Sequence, residues 1–358
     1  MRPAIVRISL RALRHNLGKA RTAAPQSQVI AVVKANAYGH GLTRVVPALG
    51  AADACGVACS EEALMLREAG WRKPILLLEG VFEPSEWELC ARHGLWAVVH
   101  HVSQIEMLER HPPSQPIPVW LKIDTGMRRL GFPAEDAGAI WRRLRECRAV
   151  EPNIRLMSHF ANADDCQDPT SLRQIDAWRT ATAGLAGEVS FANSAGVLGW
   201  PAAHFDWIRP GIMLYGVSPF TDTTGADEGL RPVMTLTTRL IAVKPLRKGD
   251  RVGYSGTWEA PQDMRLGIAA IGYGDGYPRH AQSGTPVLVG GQAASIVGRV
   301  SMDMICIDLR DCPNAQVGDP VTLWGEDLPV ETIAKRADTI AYELLCGITQ
   351  RVHVRVQE

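Results

Sequence analysis

The sequence contains no apolar run close to the roughly 20 residues that a membrane-spanning helix needs. Nothing near Met1 has the apolar segment of a signal peptide. An excess of charge is also missing, because Lys plus Arg and Asp plus Glu number 38 each. A balanced chain has no overall field that would attract nucleic acid or an anionic membrane. We therefore expect a soluble, cytoplasmic protein whose partner is a small molecule.

Cysteine pairs and metal-ligand clusters are missing as well. The eight cysteines are scattered, and their spacings match neither a CxxC motif nor a Cys/His zinc site. Asp164, Asp165 and Asp168 lie close together but lack the spacing of a calcium-binding EF-hand loop. We therefore expect reduced thiols, a polar loop at the aspartates, and no metal site.

Acidic residues are absent before Asp53, which makes the N-terminal region basic. Its Arg-bearing segment, residues 9–24, therefore resembles a transit peptide in composition. An amphipathic helix is the favoured alternative, because Ser9 is a typical N-cap and three leucines fall on one helical face. These leucines are Leu10, Leu13 and Leu17.

What the sequence does contain is a 46% apolar composition over 358 residues, enough for a full core. Eight apolar runs of strand length alternate with helical patterns such as residues 60–70 and 134–147, as in βα units. The alternation predicts a (β/α)8 barrel, with an open doubly wound sheet as the alternative. The runs are VIAVV (29–33), CGVA (55–58), ILLL (75–78), WAVV (96–99), IPVWLKI (117–123), IRLMS (154–158), EVSFA (188–192) and DWIR (206–209).

Beyond about Pro232 the pattern changes to strand-like runs broken by glycine turns, which predicts an all-β region. Gly290 and Gly291 between two apolar runs predict a hairpin, because both tolerate the positive φ of tight turns. We therefore expect a barrel over residues 1–231 packed against a β domain over residues 232–358. Whether the extreme N-terminal strand packs with the β domain is left open.

Lys34 follows the first predicted barrel strand directly. Catalytic groups of such barrels lie at the C-terminal strand ends, and a lysine in an apolar wall can become nucleophilic toward a carbonyl group. A solvated lysine at a strand end is the alternative.

The loops after strands seven and eight, NSAG (193–196) and RPG (209–211), are where barrels bind phosphate. Taken alone, each is an ordinary helix cap or turn.

A Schiff-base lysine combined with a phosphate site indicates pyridoxal 5'-phosphate (PLP), and the sequence resembles alanine racemases. The resemblance spans nearly the whole chain. Its motifs are AVVKANAYGHG (31–41), KIDTGMRRLGF (122–132), SHFANADD (158–165), ANSAG (192–196), RPGIMLYG (209–216), VGYSGTW (252–258), IGYGDGY (271–277), GRVSMD (298–303) and YELLCGI (342–348).

The resemblance implies a barrel that carries PLP on Lys34 as an internal aldimine. It also implies that His159 lies against the cofactor ring with Asn193 nearby, and that Arg209 faces the pyridine nitrogen. Arg129 would face the phenolic oxygen of the cofactor and the carboxylate of the substrate. The implied phosphate ligands are Tyr38, Ser194, Gly211, Ile212 and Tyr342.

The same resemblance implies a head-to-tail homodimer with shared active sites. Tyr254, Met302 and Asp303 would then reach the barrel of the other subunit. The residues implied along the substrate entrance, which would favour small anionic substrates, are Tyr273, Arg279 and Arg299.

Racemisation requires two acid–base groups, because a proton leaves one face of Cα and another returns to the opposite face. Lys34, once displaced from the cofactor, is the candidate on one face, and Tyr254 is the candidate on the other. An ordinary tyrosine is a poor base at neutral pH, so nearby positive charge must favour its ionised form. Arg209 and His159 are the candidates for that charge.

Lys122 lies inside an apolar strand, where an unpaired ammonium group is costly. The matching lysine of the family is often carbamylated, which would give an anion able to orient Arg129. A simple ion pair with Asp124 or another acid is the alternative. The GxG spacing of residues 272–277 lacks a following helix, so we expect a turn rather than a dinucleotide site.

Three functions remain open from the sequence. The first is racemisation of L- and D-alanine, or of small amino acids more broadly, with D-alanine serving as a peptidoglycan precursor or alanine being broken down. The second is a PLP-dependent amino-acid decarboxylase of the same architecture, against which VGYSGTW and the RPG arginine argue by resemblance. The third is a non-catalytic PLP carrier, which would leave Tyr254 and the β region without a role.

Overall fold

The computed structural model describes residues 2–358. Its strands, in chain order, are β1 (Ile5–Ser9), β2 (Gln28–Val32), β3 (Ala54–Val57), β4 (Ile75–Leu77), β5 (Leu95–Val99), β6 (Val119–Asp124), β7 (Phe132–Pro133), β8 (Arg155–Met157), β9 (Val189–Ser190), β10 (Trp207–Ile208), β11 (Met234–Leu246), β12 (Arg251–Val252), β13 (Trp258–Glu259), β14 (Met264–Ala269), β15 (Pro286–Val289), β16 (Gln292–Val297), β17 (Ile305–Asp308), β18 (Pro320–Trp324) and β19 (His353–Gln357). Its helices are α1 (Leu10–Ala23), α2 (Lys34–Tyr38), α3 (Leu42–Val45), α4 (Ser60–Glu68), α5 (Pro84–His93), α6 (Val102–Arg110), α7 (Ala137–Glu146), α8 (Thr170–Ala181), α9 (Ser194–Gly199), α10 (Val330–Arg336) and α11 (Ala341–Cys346).

Eight parallel strands form a closed barrel. Starting at β2, each strand pairs with the next through β3, β4, β5, β6, β8, β9 and β10, and β10 returns to β2 through Trp207–Gln28 and Ile208–Val29. All eight predicted runs supply one of these strands. The return pairing excludes the open sheet and confirms the predicted (β/α)8 barrel, whose carboxyl strand ends meet at one rim.

The C-terminal strands form a second sheet around the long strand β11. Because β11 pairs with both β18 and β14, six strands (β11, β14, β17, β16, β15 and β18) close on themselves. The chain's first strand joins this sheet, since β1 pairs with β11 and, in parallel, with β19. The predicted hairpin is confirmed: Val289 pairs with Gln292 across Gly290 and Gly291, whose φ angles are 56° and 84°. The short helices α10 and α11 were not predicted.

Helix α1 follows β1 and has the predicted cap, because the Ser9 hydroxyl accepts a hydrogen bond from the backbone N–H of Ala12 at 3.1 Å. The predicted leucine face, Leu10, Leu13 and Leu17, is buried. In residues 2–358 no helix combines the length and the apolar character that crossing a membrane would require.

Aromatic side chains fill the amino-terminal end of the barrel. Trp96, Trp120 and Trp207 pack against one another with ring centroids 5.5–6.1 Å apart. The guanidinium of Arg155 lies 4.3 Å from the Trp96 ring centroid and forms an ion pair with Glu188 at 2.7 Å. This packed layer leaves only the carboxyl rim for polar chemistry.

Candidate active site

Four basic side chains come together at the carboxyl rim. Lys34 follows β2, Lys122 lies near the end of β6, and Arg209 follows β10, with Arg129 on the loop beyond β6. Burial, and then the charges of the other three, lowers the pKa of Lys122 to about 8. The carboxylate of Glu79 opposes this effect only in part. A rim with so many cations fits an anionic ligand.

The buried Arg209 is fixed by hydrogen bonds rather than by a carboxylate. Its Nη1 donates to Ser190 Oγ at 2.7 Å, and its Nη2 donates to the carbonyl oxygens of Ser158 at 2.6 Å and Phe191 at 3.2 Å. Burial lowers the pKa of Arg209 to about 10, so the group stays charged at neutral pH. Within residues 2–358 its Nε has no hydrogen-bond partner, which leaves one donor for a ligand.

His159 lies directly against this guanidinium. Nη2 of Arg209 is 3.1 Å from His159 Nδ1, so Nδ1 accepts and the imidazole is neutral. Burial, and then Arg209, lowers the pKa of His159 well below its usual range. The expectation that His159 could supply positive charge was therefore wrong, because its buried ring has a cation as its neighbour. Of the two candidates for that charge, only Arg209 is left.

The loops after β9 and β10 meet as predicted. Ser194 Oγ accepts hydrogen bonds from the backbone N–H groups of Gly211 at 2.8 Å and Met213 at 3.3 Å, and Ile212 is buried between them. Asn193 caps α9, because its Oδ1 accepts from Gly196 N at 2.9 Å. These contacts bring the two loops that were predicted to bind phosphate into one cup.

Tyrosines line the other wall of this cup. A Cβ on Gly211 would lie 2.5 Å from Tyr38 Oη, so glycine is what lets that hydroxyl approach. The Tyr38 ring stacks on Tyr215 at 4.7 Å, and the Tyr342 ring lies 5.9 Å away. Burial raises the pKa of Tyr38 above its usual range and that of Tyr342 to about 12. Both hydroxyls therefore stay protonated and can donate to a phosphate.

The backbone after Lys34 makes a left-handed turn. Ala35, Asn36, Ala37 and Tyr38 have φ angles of 51° to 55°, a conformation that non-glycine residues rarely adopt. Gly39 closes the turn at φ 79°, where a Cβ would collide with the carbonyl oxygen of Leu345 in α11. The sequence pattern gave no indication of this conformation.

The loop after β6 uses Asp124 for its own backbone. Asp124 Oδ1 accepts from Gly126 N at 2.8 Å and from Arg128 N at 3.1 Å, with Arg128 at φ 57°. The alternative ion pair between Lys122 and Asp124 is not formed. Arg129, the next residue of this loop, is exposed.

The site residues predicted from the C-terminal part lie on its surface. Tyr254 is 67% exposed, Met302 51% and Tyr273 40%. Arg299 Nη1 donates to Ser255 Oγ at 3.2 Å, and Arg279 is exposed. None of these contacts joins them to the barrel rim of the same chain.

The GYGDGY segment forms a turn, as expected, and its buried aspartate holds a neighbouring loop. Asp275 accepts from Gly272 N at 3.0 Å and from Arg2 Nη2 at 2.7 Å, and it pairs with Arg351. Arg351 also binds Asp303. The backbone N–H of Gly274 donates to Met302 O at 2.9 Å, so the turn fixes the Met302–Asp303 loop.

The contacts of three residues near the candidate site or its C-terminal loops were not predicted from the sequence. Asp275 lay within a motif interpreted only as a turn, and Tyr215 lay within RPGIMLYG without an assigned role. Glu62 belonged to a helical pattern in which its charge had no predicted partner. Its carboxylate instead accepts from Asn36 N at 3.2 Å and from Ala58 N at 2.9 Å.

Comparison with known proteins identifies relatives along the whole chain. A family model described as "Alanine racemase, N-terminal domain" matches residues 8–219, and one described as "Alanine racemase, C-terminal domain" matches residues 233–356. A relative from Nitrosococcus oceani named "Alanine racemase" is 55% identical over 346 residues, covering 96% of this chain and 97% of the relative. One from Escherichia coli O6:H1 named "Alanine racemase, biosynthetic" is 52% identical over 356 residues, covering 99% of both chains.

Solved structures agree with these matches. The biosynthetic alanine racemase from Pseudomonas aeruginosa superposes with a TM-score of 0.97 at 47% identity and covers 100% of both chains. The alanine racemase from Bartonella henselae with covalently bound pyridoxal phosphate has a TM-score of 0.90 at 30% identity, again over 100% of both chains.

Proposed function

This chain belongs to the alanine racemase family and acts as a racemase of alanine, and we propose that it does so with PLP as cofactor and with Lys34 and Tyr254 as its two acid–base groups. The observation that carries the proposal is the buried Arg209. Its guanidinium lies at the carboxyl rim that also carries Lys34, and all of its hydrogen-bond acceptors are neutral groups. Its Nε is left to donate to a ligand.

The rim residues fit a phosphorylated, anionic cofactor. In the cup formed by the loops at Ser194 and Gly211, Ser194 Oγ accepts from Gly211 N and keeps its own proton to donate, and the protonated Tyr38 and Tyr342 add two further hydroxyl donors. We propose that these residues and Ile212 hold the phosphate, with His159 against the ring and Asn193 supporting the cup. When bound, PLP supplies an electron-accepting ring that stabilises negative charge at the substrate Cα.

Arg209 sets how strongly that ring withdraws electrons. A guanidinium beside a pyridine nitrogen opposes protonation of that nitrogen, because two cations at contact distance repel each other. With the cofactor bound, the weaker electron sink would favour return of a proton to the substrate Cα over other reactions. The neutral His159 and the carbonyl oxygens of Ser158 and Phe191 keep the guanidinium in place.

Proton transfer needs one group on each face of Cα. We assign Lys34 to one face and Tyr254 to the other, and the exposure of Tyr254 supports a donor that reaches a second chain. We therefore propose a head-to-tail homodimer in which Tyr254, Met302 and Asp303 complete the partner's site. Tyr273, Arg279 and Arg299 would line the entrance to it.

Arg129 is proposed to bind the substrate carboxylate, with Lys122 orienting it as a carbamate. The depressed pKa of Lys122 supports this, because a larger share of its amine is neutral and able to attack CO2. In that step the nitrogen bonds to the carbon of CO2 and releases a proton to water. Intact-mass measurement with bicarbonate should show one added CO2 that Lys122→Gln lacks, and an unmodified wild-type protein would contradict the assignment.

The deciding experiment follows Cα exchange and chirality together. Purified protein with PLP and L-alanine in D2O should give both Cα deuteration, scored by proton NMR, and D-alanine, scored by a chiral assay. Tyr254→Phe should still exchange the Cα proton of one enantiomer while inversion falls about 1,000-fold. Tyr277→Phe, which removes a buried hydroxyl that has no hydrogen-bond partner within residues 2–358 and lies outside the proposed site, serves as the control.

Each result has a defined meaning. Equal loss of exchange for both enantiomers in Tyr254→Phe would contradict a separate base on each face. Release of CO2 from the substrate would contradict racemisation itself.

Three further assignments remain proposals. We propose a division between barrel and β domain at residues 231 and 232, apart from β1. We also propose a cytoplasmic location and a role in supplying D-alanine as a peptidoglycan precursor. The word "biosynthetic" in the name of the Escherichia coli relative supports that role.

A further inference from the structure

We propose that Glu62 is a positioning residue that holds the left-handed turn after Lys34 and thereby sets where the lysine amine stands. The inference rests on the assignment of Lys34 in the proposed function. Glu62 lies on α4, outside the motifs that the site uses.

The turn needs an external partner because its conformation is unfavourable. Four consecutive non-glycine residues with positive φ are strained, and such strain persists only where the surroundings over-determine it. Internal bonds satisfy part of the backbone, since Ala37 N donates to Val33 O at 2.8 Å and Gly39 N donates to Ala35 O at 3.0 Å. Asn36 Oδ1 also accepts from Leu42 N at 2.8 Å.

The N–H of Asn36 is not satisfied by these internal bonds and takes its partner from outside the turn. It donates to Oε1 of Glu62 at 3.2 Å, two residues from Lys34. Gly39 and Leu345 fix the far end of the turn by close packing. Glu62 therefore holds the end nearest the lysine.

The second carboxylate oxygen connects this end to the barrel. Oε2 of Glu62 accepts from Ala58 N at 2.9 Å, immediately beyond β3. That strand is also tied to the residue before Lys34, because Val33 N donates to Gly56 O at 2.8 Å. One carboxylate thus spans two adjacent strand ends and fixes the turn relative to the rim.

Glu62→Gln tests this arrangement with little change of shape. Glutamine offers one acceptor oxygen, and its amide nitrogen would face the second backbone N–H group. Glu61→Gln is the matched control, because Glu61 is the exposed neighbour on the same helix and does not contact the turn. Hydrogen exchange followed by mass spectrometry on peptides covering residues 34–41 and 55–59 reports the turn directly.

We expect exchange in one or both of these peptides to rise at least about tenfold in Glu62→Gln and to stay at the wild-type level in Glu61→Gln. The kcat for alanine should fall on the order of 10- to 100-fold with KM within about twofold, because a misplaced reacting group lowers the rate without removing substrate contacts. Borohydride trapping of PLP on Lys34 should slow as well.

A second variant separates positioning from general destabilisation. Glycine adopts positive φ without strain, so adding Ala35→Gly to Glu62→Gln should recover at least about threefold of the lost kcat. If Glu62→Gln does not fold, failure of the double variant to restore folding would overturn the proposal. Wild-type exchange and kcat in Glu62→Gln would also overturn it.

These readouts are independent of the proposed reaction. Hydrogen exchange and trapping of Lys34 do not require turnover, whereas the proposed function stands or falls on the wild-type protein in D2O. An inactive wild type with the expected exchange pattern would contradict the function and leave the role of Glu62 intact.

Discussion

Two arginines, Arg209 buried and Arg155 partly buried, stand at opposite ends of the barrel. Arg155, at the amino end of β8, pairs with Glu188 at 2.7 Å and stacks on Trp96. Arg209, at the carboxyl end of β10, has no carboxylate partner and donates to carbonyl oxygens, Ser190 and His159. At the amino end the charge of Arg155 is neutralised by a carboxylate of the protein. At the carboxyl end the charge of Arg209 can be neutralised only by an anionic ligand.

The difference shows how the barrel divides its tasks. An arginine that is paired and stacked stabilises the fold, because desolvation is offset by contacts already made. An arginine surrounded by neutral acceptors retains a field that only a ligand can balance. The structure thus assigns stability to the amino end and chemistry to the carboxyl end.

The largest expected effect comes from Arg209→Gln. Removing this charge should lower kcat about 1,000-fold, as expected for loss of a preorganised charge in a water-poor site. The free energy of unfolding should change by less than about 1 kcal/mol, since relief of desolvation opposes the lost hydrogen bonds. Steady-state kinetics and chemical denaturation measure the two quantities, and a large stability loss with intact kcat would reverse the comparison.

Arg155→Gln should do the opposite. It leaves the partly buried Glu188 without its partner and removes the cation over Trp96, so the free energy of unfolding should fall by about 3 kcal/mol. The kcat should stay within about twofold of wild type. Denaturant titration and kinetics on the same preparation test this, and a matching fall in kcat would show that the two ends are coupled.

The barrel could be predicted from the sequence because apolar runs of strand length alternate with helical patterns along the chain. All eight strands were found, although β9 and β10 are only two residues long and their runs extended beyond them. The hairpin at Gly290 and Gly291 and the cap at Ser9 followed from local chemistry. The helices α10 and α11, at seven and six residues, are too short to give a helical period.

The sequence named the residues of the candidate site, which stay predictions, but it did not predict the electrostatics around them. The neutral state of His159 depends on Arg209, which is 50 positions away in the chain. The partners of Glu62 are backbone N–H groups, which no sequence pattern marks, and Asp275 adds to one such group the side chains of Arg2 and Arg351, both distant in the chain. The left-handed turn after Lys34 contradicts local preference and is held by contacts from α4 and α11, so local propensity could not have predicted it.

Lys122→Met tests how the free energy of unfolding depends on pH when a cation is removed from the carboxyl rim. Lys122 is buried among cations, so replacing it by an apolar side chain of similar shape should stabilise the protein by about 2 kcal/mol at pH 7 in CO2-free buffer. Because the folded pKa is about 8 and the unfolded value is near 10.4, the unfolded state binds more protons between these limits. Wild-type stability from this group therefore rises with pH through that window, and the advantage of the variant should shrink.

Denaturation midpoints at pH 7 and pH 10 measure that trend. Lys73→Met is a useful control, because Lys73 donates to the carbonyl oxygens of Gly50 and Ala52 at the other end of the barrel. If the stability gain of Lys122→Met over the wild type grew with pH, the predicted direction of the pH dependence would be wrong.

The smallest expected effect is that of Trp96→Phe. Phenylalanine keeps an aromatic face but offers a weaker one to Arg155, so the free energy of unfolding should fall by about 1 kcal/mol. The two single variants, Trp96→Phe and Arg155→Gln, and the double variant form a double-mutant cycle. If the two losses of unfolding free energy add strictly in the double variant, the stacked pair contributes no interaction energy of its own.

The placement of β1 has a consequence for the order in which the protein is made. Strand β1 pairs with residues 234–237 and with residues 353–357, so both of its partners leave the ribosome after the whole barrel. The barrel strands between them need no such wait, because each pairs with a close neighbour in the chain until β10 returns to β2. Domains generally fold as units during synthesis. We therefore expect β1 to pair with its partners only after the barrel strands that follow it have been made.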